Sequence, residues 1–135
     1  MKRFTLFMTM LLAGLLLVAC GGSEADAPAP VVFDVAGYDE FRFDPENITV
    51  DAGSQVTINF ENVGMLEHNW LLVSQAVDPA TATEVDALAG ANTGILGAGE
   101  STSITFTAPP AGTYTIVCTV PGHAVGGMVG TFTSQ

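Results

Sequence analysis

Basic residues are nearly missing from this chain: three Lys and Arg stand against 14 Asp and Glu. Lys2 and Arg3 fall at the very start. The remainder keeps Arg42 alone against all 14 acids, a formal charge of −13. A phosphate backbone would repel such a surface, which argues against nucleic acid as a partner. Histidine is equally scarce, with only His68 and His123. Two imidazoles cannot furnish two separate His-rich metal sites. Cysteine occurs twice, as Cys20 and Cys118, so a disulfide framework is excluded and at most one bridge is open. The one long apolar run, Phe4 to Val18, falls short of the roughly 20 residues a membrane-spanning helix needs.

What is present at the start is a targeting pattern. A positive segment, Lys2-Arg3, precedes the short apolar run, and Leu17-Val18-Ala19-Cys20 then reads as a lipobox cut before Cys20. An uncleaved membrane helix and a plain secretory signal are the alternatives. Residues 1–19 are thus expected to be a signal peptide of lipoprotein type, and Cys20 the lipidation site. Residues 20–30 carry Gly, Ser, Ala, Pro and acid, with little to bury, and read as a flexible tether. The folded domain is expected over residues 31–135. It would lie outside the cytoplasm, at the outer face of the cytoplasmic membrane or in the periplasm, held to the membrane by its lipid. A Cys20–Cys118 disulfide is the competing use of the two thiols in an oxidising compartment. The signal context of Cys20 and the tether after it argue against that bridge.

From Val31 the pattern is β. Val31–Val35, Phe41–Phe43, Ile48–Val50, Val56–Phe60, Asn69–Val73, Ser101–Thr107, Thr113–Cys118 and Val129–Thr133 are short apolar or alternating runs. Asp44-Pro45-Glu46-Asn47, Asp51-Ala52-Gly53-Ser54 and Ala108-Pro109-Pro110-Ala111-Gly112 separate some of them as turns. Many short strands with turns between them predict an all-β sandwich of two sheets. Ser74 to Gly99 breaks the pattern. It reads as an insertion beside the sandwich, with a short helix near residues 83–89 and no chemistry of its own.

The chemistry concentrates in Cys118-Thr119-Val120-Pro121-Gly122-His123-Ala124-Val125-Gly126-Gly127-Met128. A thiol, an imidazole and a thioether recur at five-residue intervals, and His68 lies upstream. A soft thiolate, two imidazoles and a weak axial thioether suit a blue-copper centre. Pro121-Gly122 turns the chain back after Cys118, and Gly126-Gly127 lets it bend again before Met128. The metal ligands are therefore read as His68, Cys118, His123 and Met128, and the cofactor as one type 1 copper ion. Zinc is the alternative metal, since two His and one Cys bind it well, but a thioether adds little for zinc. Met65 competes with Met128 for the axial place, and the loop spacing favours Met128.

Cys-x4-His-x4-Met after a β-rich segment, with the earlier run Glu67-His68-Asn69-Trp70-Leu71-Leu72-Val73, resembles the cupredoxins, and among them the auracyanin and azurin branches. The resemblance covers about Val31 to Gln135. It implies a Greek-key version of the sandwich. It also implies that Asn69 links the two ligand segments, its amide bonding Thr119. The function implied is a non-enzymatic one-electron carrier that shuttles electrons between membrane redox complexes by cycling Cu(II) and Cu(I). A copper store or chaperone is the alternative. Redox partners would be proteins such as a cytochrome, a quinol-oxidising complex, a reaction centre or an oxidase. Around His123 the residues Pro121, Gly122, Ala124 and Val125 are small and apolar, and form the expected electron-transfer patch. The acidic remainder would steer the domain toward basic partners.

Overall fold

Alternation along the chain becomes two faces of a sandwich. In the computed structural model, which describes residues 27–135, β4 (Gln55–Asn62) buries Val56, Ile58, Phe60 and Asn62 and leaves Gln55, Asn59 and Glu61 exposed. Side chains two apart share a face of a strand, so this one register commits the apolar set to the interior. The signal peptide, Cys20 and most of the tether lie outside the described residues.

Eight strands are described: β1 (Val31–Tyr38), β2 (Arg42–Asp44), β3 (Asn47–Val50), β4, β5 (Leu71–Ser74), β6 (Ser101–Thr107), β7 (Gly112–Val117) and β8 (Val129–Ser134). One sheet runs β2-β1-β4-β6 and the other β3-β8-β7-β5. Each sheet is mixed: β1 pairs parallel with β4, and β3 with β8, while the remaining pairs are antiparallel. The chain crosses between the sheets repeatedly, as a Greek-key sandwich requires. Between them lies a core built around Trp70, Phe60, Phe132, Ile48, Ile58, Leu72 and Ile116, all 1% exposed or less.

The expected strands all form, with ends shifted by a few residues. β1 runs furthest past its expected end, to Tyr38 rather than Val35, and β5 starts latest, at Leu71 rather than Asn69. The two residues before β5 lie in the approach from His68.

The insertion departs further from expectation. In place of a helix over residues 83–89 there is a single 3₁₀ turn, Glu84–Asp86. The Asp86 carboxylate accepts from both the amide and the hydroxyl of Thr83, a local bond set that closes one turn and goes no further. The rest of the insertion lies along β5. Leu72 N–H donates to Ala91 O, Leu88 N–H to Leu72 O, and Thr93 N–H to Trp70 O. It also covers the outer face of that sheet, where Leu71, Val73 and Val117 pack with Ala82 in a second apolar cluster. This is why Leu71, Leu72 and Val73 are all fully buried, instead of alternating.

Strand pairing then fixes where the ligands fall. Leu71 opposes Val117 in one pair and Val117 opposes Val129 in the next. His68 just before β5, Cys118 just after β7 and Met128 just before β8 therefore meet at one end of the sandwich.

Candidate metal centre

Three loops build the site. The first, between β7 and β8, is a chain of tight turns: His123 N–H donates to Val120 O, Gly126 N–H to Gly122 O, and Met128 N–H to His123 O at 2.9 Å. Cys118 N–H donates to Met128 O at 3.2 Å, so the first and last ligands of the loop are tied by backbone. Gly122 (φ +87°) and Gly127 (φ +112°) hold left-handed conformations open to glycine at little cost. Gly126 is needed for a different reason than bending. A Cβ there would collide with the ring of Phe41, which packs onto the loop.

His68, Cys118 and His123 are brought together, all buried, with one ligand atom from each within 4.8 Å of the others. Cys118 Sγ lies 3.5 Å from His123 Nδ1, and the two imidazole centroids are 5.0 Å apart. Met128 is fully buried, whereas Met65, the competing thioether, is 82% exposed. Cys118 is bonded to no other cysteine among the described residues, and burial pushes its pKa up, while backbone N–H groups of Asn69 and Val120 pull the other way. Burial also lowers the pKa of His123, followed by the neighbouring His68. Both effects favour uncharged donors until a cation arrives, when a metal holds the sulfur as thiolate.

Asn69 lies against Thr119. Its amide nitrogen donates to Thr119 Oγ1 at 2.7 Å, and its carbonyl oxygen accepts from Thr119 N–H at 2.8 Å. Pro121, Gly122 and Val125 are exposed and Ala124 half-buried beside His123.

Several contributors are not visible as motifs. His68 is held on both sides by the insertion: its N–H donates to Leu96 O at 3.0 Å, and its carbonyl accepts from Leu96 N–H at 2.8 Å. The segment expected to carry no chemistry thus positions a ligand. Asn62, fully buried, donates to Leu66 O and Leu96 O and accepts from Gly64 N–H. From the turn after β1, Phe41 lays its ring on His123 at 4.6 Å between centroids. It does so from a left-handed backbone, φ +56°, that a bulky residue rarely adopts. From the same turn, Asp39 Oδ1 lies 3.0 Å from His68 Nε2. Backbone N–H groups of Met65 and Leu66 also bond the Asp39 carboxylate, and these hold its pKa below the usual range.

The donor set fits a soft, small cation. With Nε2 bonded to Asp39, the other nitrogen of His68, Nδ1, is buried and has no hydrogen-bond partner among the described residues. A buried polar atom without a partner is costly, and a metal ion would satisfy it. Two imidazoles, a thiolate and a buried thioether form the type 1 copper arrangement.

The comparisons with known proteins agree with that geometry. A family model described as copper binding proteins, plastocyanin/azurin family, matches residues 30–135. Auracyanin-B of Chloroflexus aurantiacus is 38% identical over 134 residues, covering 85% of this chain. The chain spans 57% of the length of that relative. Auracyanin-A of the same organism is 31% identical over 146 residues, covering 90% of each chain. Among solved structures, dithionite-reduced auracyanin from Roseiflexus castenholzii superposes with a TM-score of 0.69 at 31% identity, covering 79% of this chain and 98% of that one.

Proposed function

The chain belongs to the plastocyanin/azurin family of copper-binding proteins, and from that premise we propose that it is a one-electron carrier between redox proteins. The observation that carries this reading is the packing of His68, Cys118 and His123, all buried, with their ligand atoms within 4.8 Å. Copper bound there supplies a one-electron couple between Cu(II) and Cu(I). The protein's part is to keep the donors still. Leu96 fixes the backbone of His68, the Asn69–Thr119 pair ties the His68 and Cys118 segments, and the Cys118–Met128 backbone bond closes the loop. Ligands that move little between oxidation states leave less reorganisation to each transfer.

An electron entering or leaving would pass through His123. It is 6% exposed where His68 is 0% exposed, and Pro121, Gly122, Ala124 and Val125 surround it with an apolar rim. A small apolar face fits a brief encounter, since weak redox complexes bury little area. Partners of the cytochrome, quinol-oxidising, reaction-centre or oxidase kind are consistent with that face. The Cys20 lipobox supports export and anchoring at the outer face of the membrane. The mass of the mature protein from a lipoprotein-competent bacterium tests it: an intact signal or an unmodified Cys20 in membrane-bound material rules the anchor out.

The test of the carrier reading is the visible spectrum of the copper-loaded protein. A thiolate-to-Cu(II) charge-transfer band that bleaches on reduction and returns on oxidation is expected. Cys118→Ser abolishes that band, because a hydroxyl is a hard donor in place of a soft thiolate. Met65→Leu leaves it unchanged. A protein that takes up copper without a reversible band is a store or chaperone instead.

A further inference from the structure

The Asp39 carboxylate meets the imidazole of a candidate metal ligand, His68, at its Nε2. It sits in the turn after β1, 29 residues from His68 in sequence, and its Oδ1 is 3.0 Å from His68 Nε2. Its own orientation is fixed from outside: Oδ2 accepts from Met65 N–H at 2.8 Å, and Oδ1 from Leu66 N–H at 3.1 Å. Gly64 leaves the room for it, since a Cβ there would lie 2.7 Å from the carboxyl carbon of Asp39.

The chemistry follows from donor and acceptor roles. An ionised carboxylate accepts and cannot donate. The ring proton of neutral His68 must therefore sit on Nε2, which leaves the lone pair on Nδ1. Nδ1 is buried and, like Trp70 Nε1, has no hydrogen-bond partner among the described residues. We propose that Asp39 is the positioning residue of the centre, fixing the tautomer and ring orientation of His68 and placing a negative charge one imidazole away from the metal. A carboxylate so placed raises the basicity of the ligand it holds and favours the more highly charged metal ion. Asp39 thereby lowers the reduction potential of the site. The side chain is 34% exposed, so solvent screens part of that effect. This inference rests on the copper reading above for the potential, but not for the tautomer.

Two measurements separate those parts. The first is ¹⁵N NMR of the imidazoles in metal-free protein, at about pH 8, well above the ordinary imidazole pKa. The unmodified protein shows His68 protonated at Nε2. Asp39→Leu and Gly64→Ala, which remove and displace the carboxylate respectively, both show mixed tautomers. Gly64→Ala changes no charge and keeps the informative case available if Asp39→Leu fails to fold. The second measurement is copper affinity and potential. Asp39→Leu weakens copper binding by about 10-fold or more. Asp39→Asn keeps one carbonyl acceptor for Nε2 and Leu66 N–H and gives up only the acceptor for Met65 N–H, so the tautomer and the blue band persist while the potential rises. A role confined to holding the loop together would not move the potential in that variant. Unchanged potential in Asp39→Asn overturns the electrostatic role. His68 still protonated only at Nε2 in Asp39→Leu or Gly64→Ala overturns the positioning role. Failure of the unmodified protein to form a blue site counts against the carrier reading, and the tautomer result then stands by itself.

Discussion

Asn69 and Thr119 exchange two hydrogen bonds across 50 residues of sequence, amide to hydroxyl at 2.7 Å and backbone N–H to amide oxygen at 2.8 Å. Each residue immediately follows a proposed ligand, His68 or Cys118. The pair therefore locks the spacing of two ligands that arrive on different loops. Asn69 is fully buried, so its amide has no water to fall back on. Thr119→Val removes the hydroxyl and orphans the amide nitrogen of Asn69, at a cost of about 1–3 kcal/mol. Asn69→Ala loses both bonds and leaves Thr119 N–H without its acceptor. Because the two residues share one interaction, the double variant is expected to lose less than the sum of the singles. Urea denaturation of the four metal-free proteins measures this. Additive losses would mean that the pair is not a unit.

Phe41 and Gly126 make a second prediction, about crowding. The ring of Phe41 occupies the space a side chain at 126 would need, and the same ring rests on His123 at 4.6 Å. Gly126→Ala must move the ring or the loop. Overpacking of this kind costs about 1–3 kcal/mol, and the displaced ring should disturb the His123 signals in the copper EPR spectrum. Gly53→Ala is the control. Gly53 has open space around it but a φ of +81°, so its cost is in the backbone alone. It should lower the melting temperature and leave the copper spectrum as it was. Equal spectra for the two variants would show that Phe41 does not position His123.

What the sequence made legible depends on how far the cause lies from the residue. The strand of Val56 to Phe60 is written in its own alternation, and so is the position of Cys118 at the end of another. The ligand loop is equally local, since Cys118, His123 and Met128 lie within eleven residues. Asp39 carries no such mark. In sequence it is an acid in a turn like Asp44 or Asp51, and only the pairing of β1 with β4 brings it to the loop before His68. Leu96 is hidden in the same way, because it acts through its backbone and any residue offers that. The short helix expected near residues 83–89 forms only as the 3₁₀ turn Glu84–Asp86, for a complementary reason. The Ala-rich run there suits a helix, but Leu88 and Ala91 bond to Leu72 of β5 on either side of a turn at Gly90, and Ala82 and Ala87 cover the outer face of the sheet. Composition in a short segment does not reveal which neighbour will supply its hydrogen bonds.

The last prediction concerns the port for the electron. Val125 is 75% exposed two residues after His123, with Pro121 and Gly122 also exposed. Met65 and Leu66, exposed as well, lie at the same end of the sandwich, on the loop that Asp39 ties to His68. A partner docking over His123 would desolvate Val125. Val125→Glu places a charge there that would be buried without a counter-ion, which is costly at any salt concentration. Val125 is exposed and makes none of the loop's backbone bonds described above, so the copper spectrum should stay nearly unchanged. Asp86→Lys is the contrast. Asp86 belongs to the exposed 3₁₀ turn of the insertion and can act on a partner only through long-range charge, which salt screens. Stopped-flow reduction by a single cytochrome across several salt concentrations separates the two. Val125→Glu should be slow throughout, and Asp86→Lys should differ from the unmodified protein only at low salt. If Val125→Glu keeps the unmodified rate at high salt while Asp86→Lys is slow there, electrons do not enter at His123.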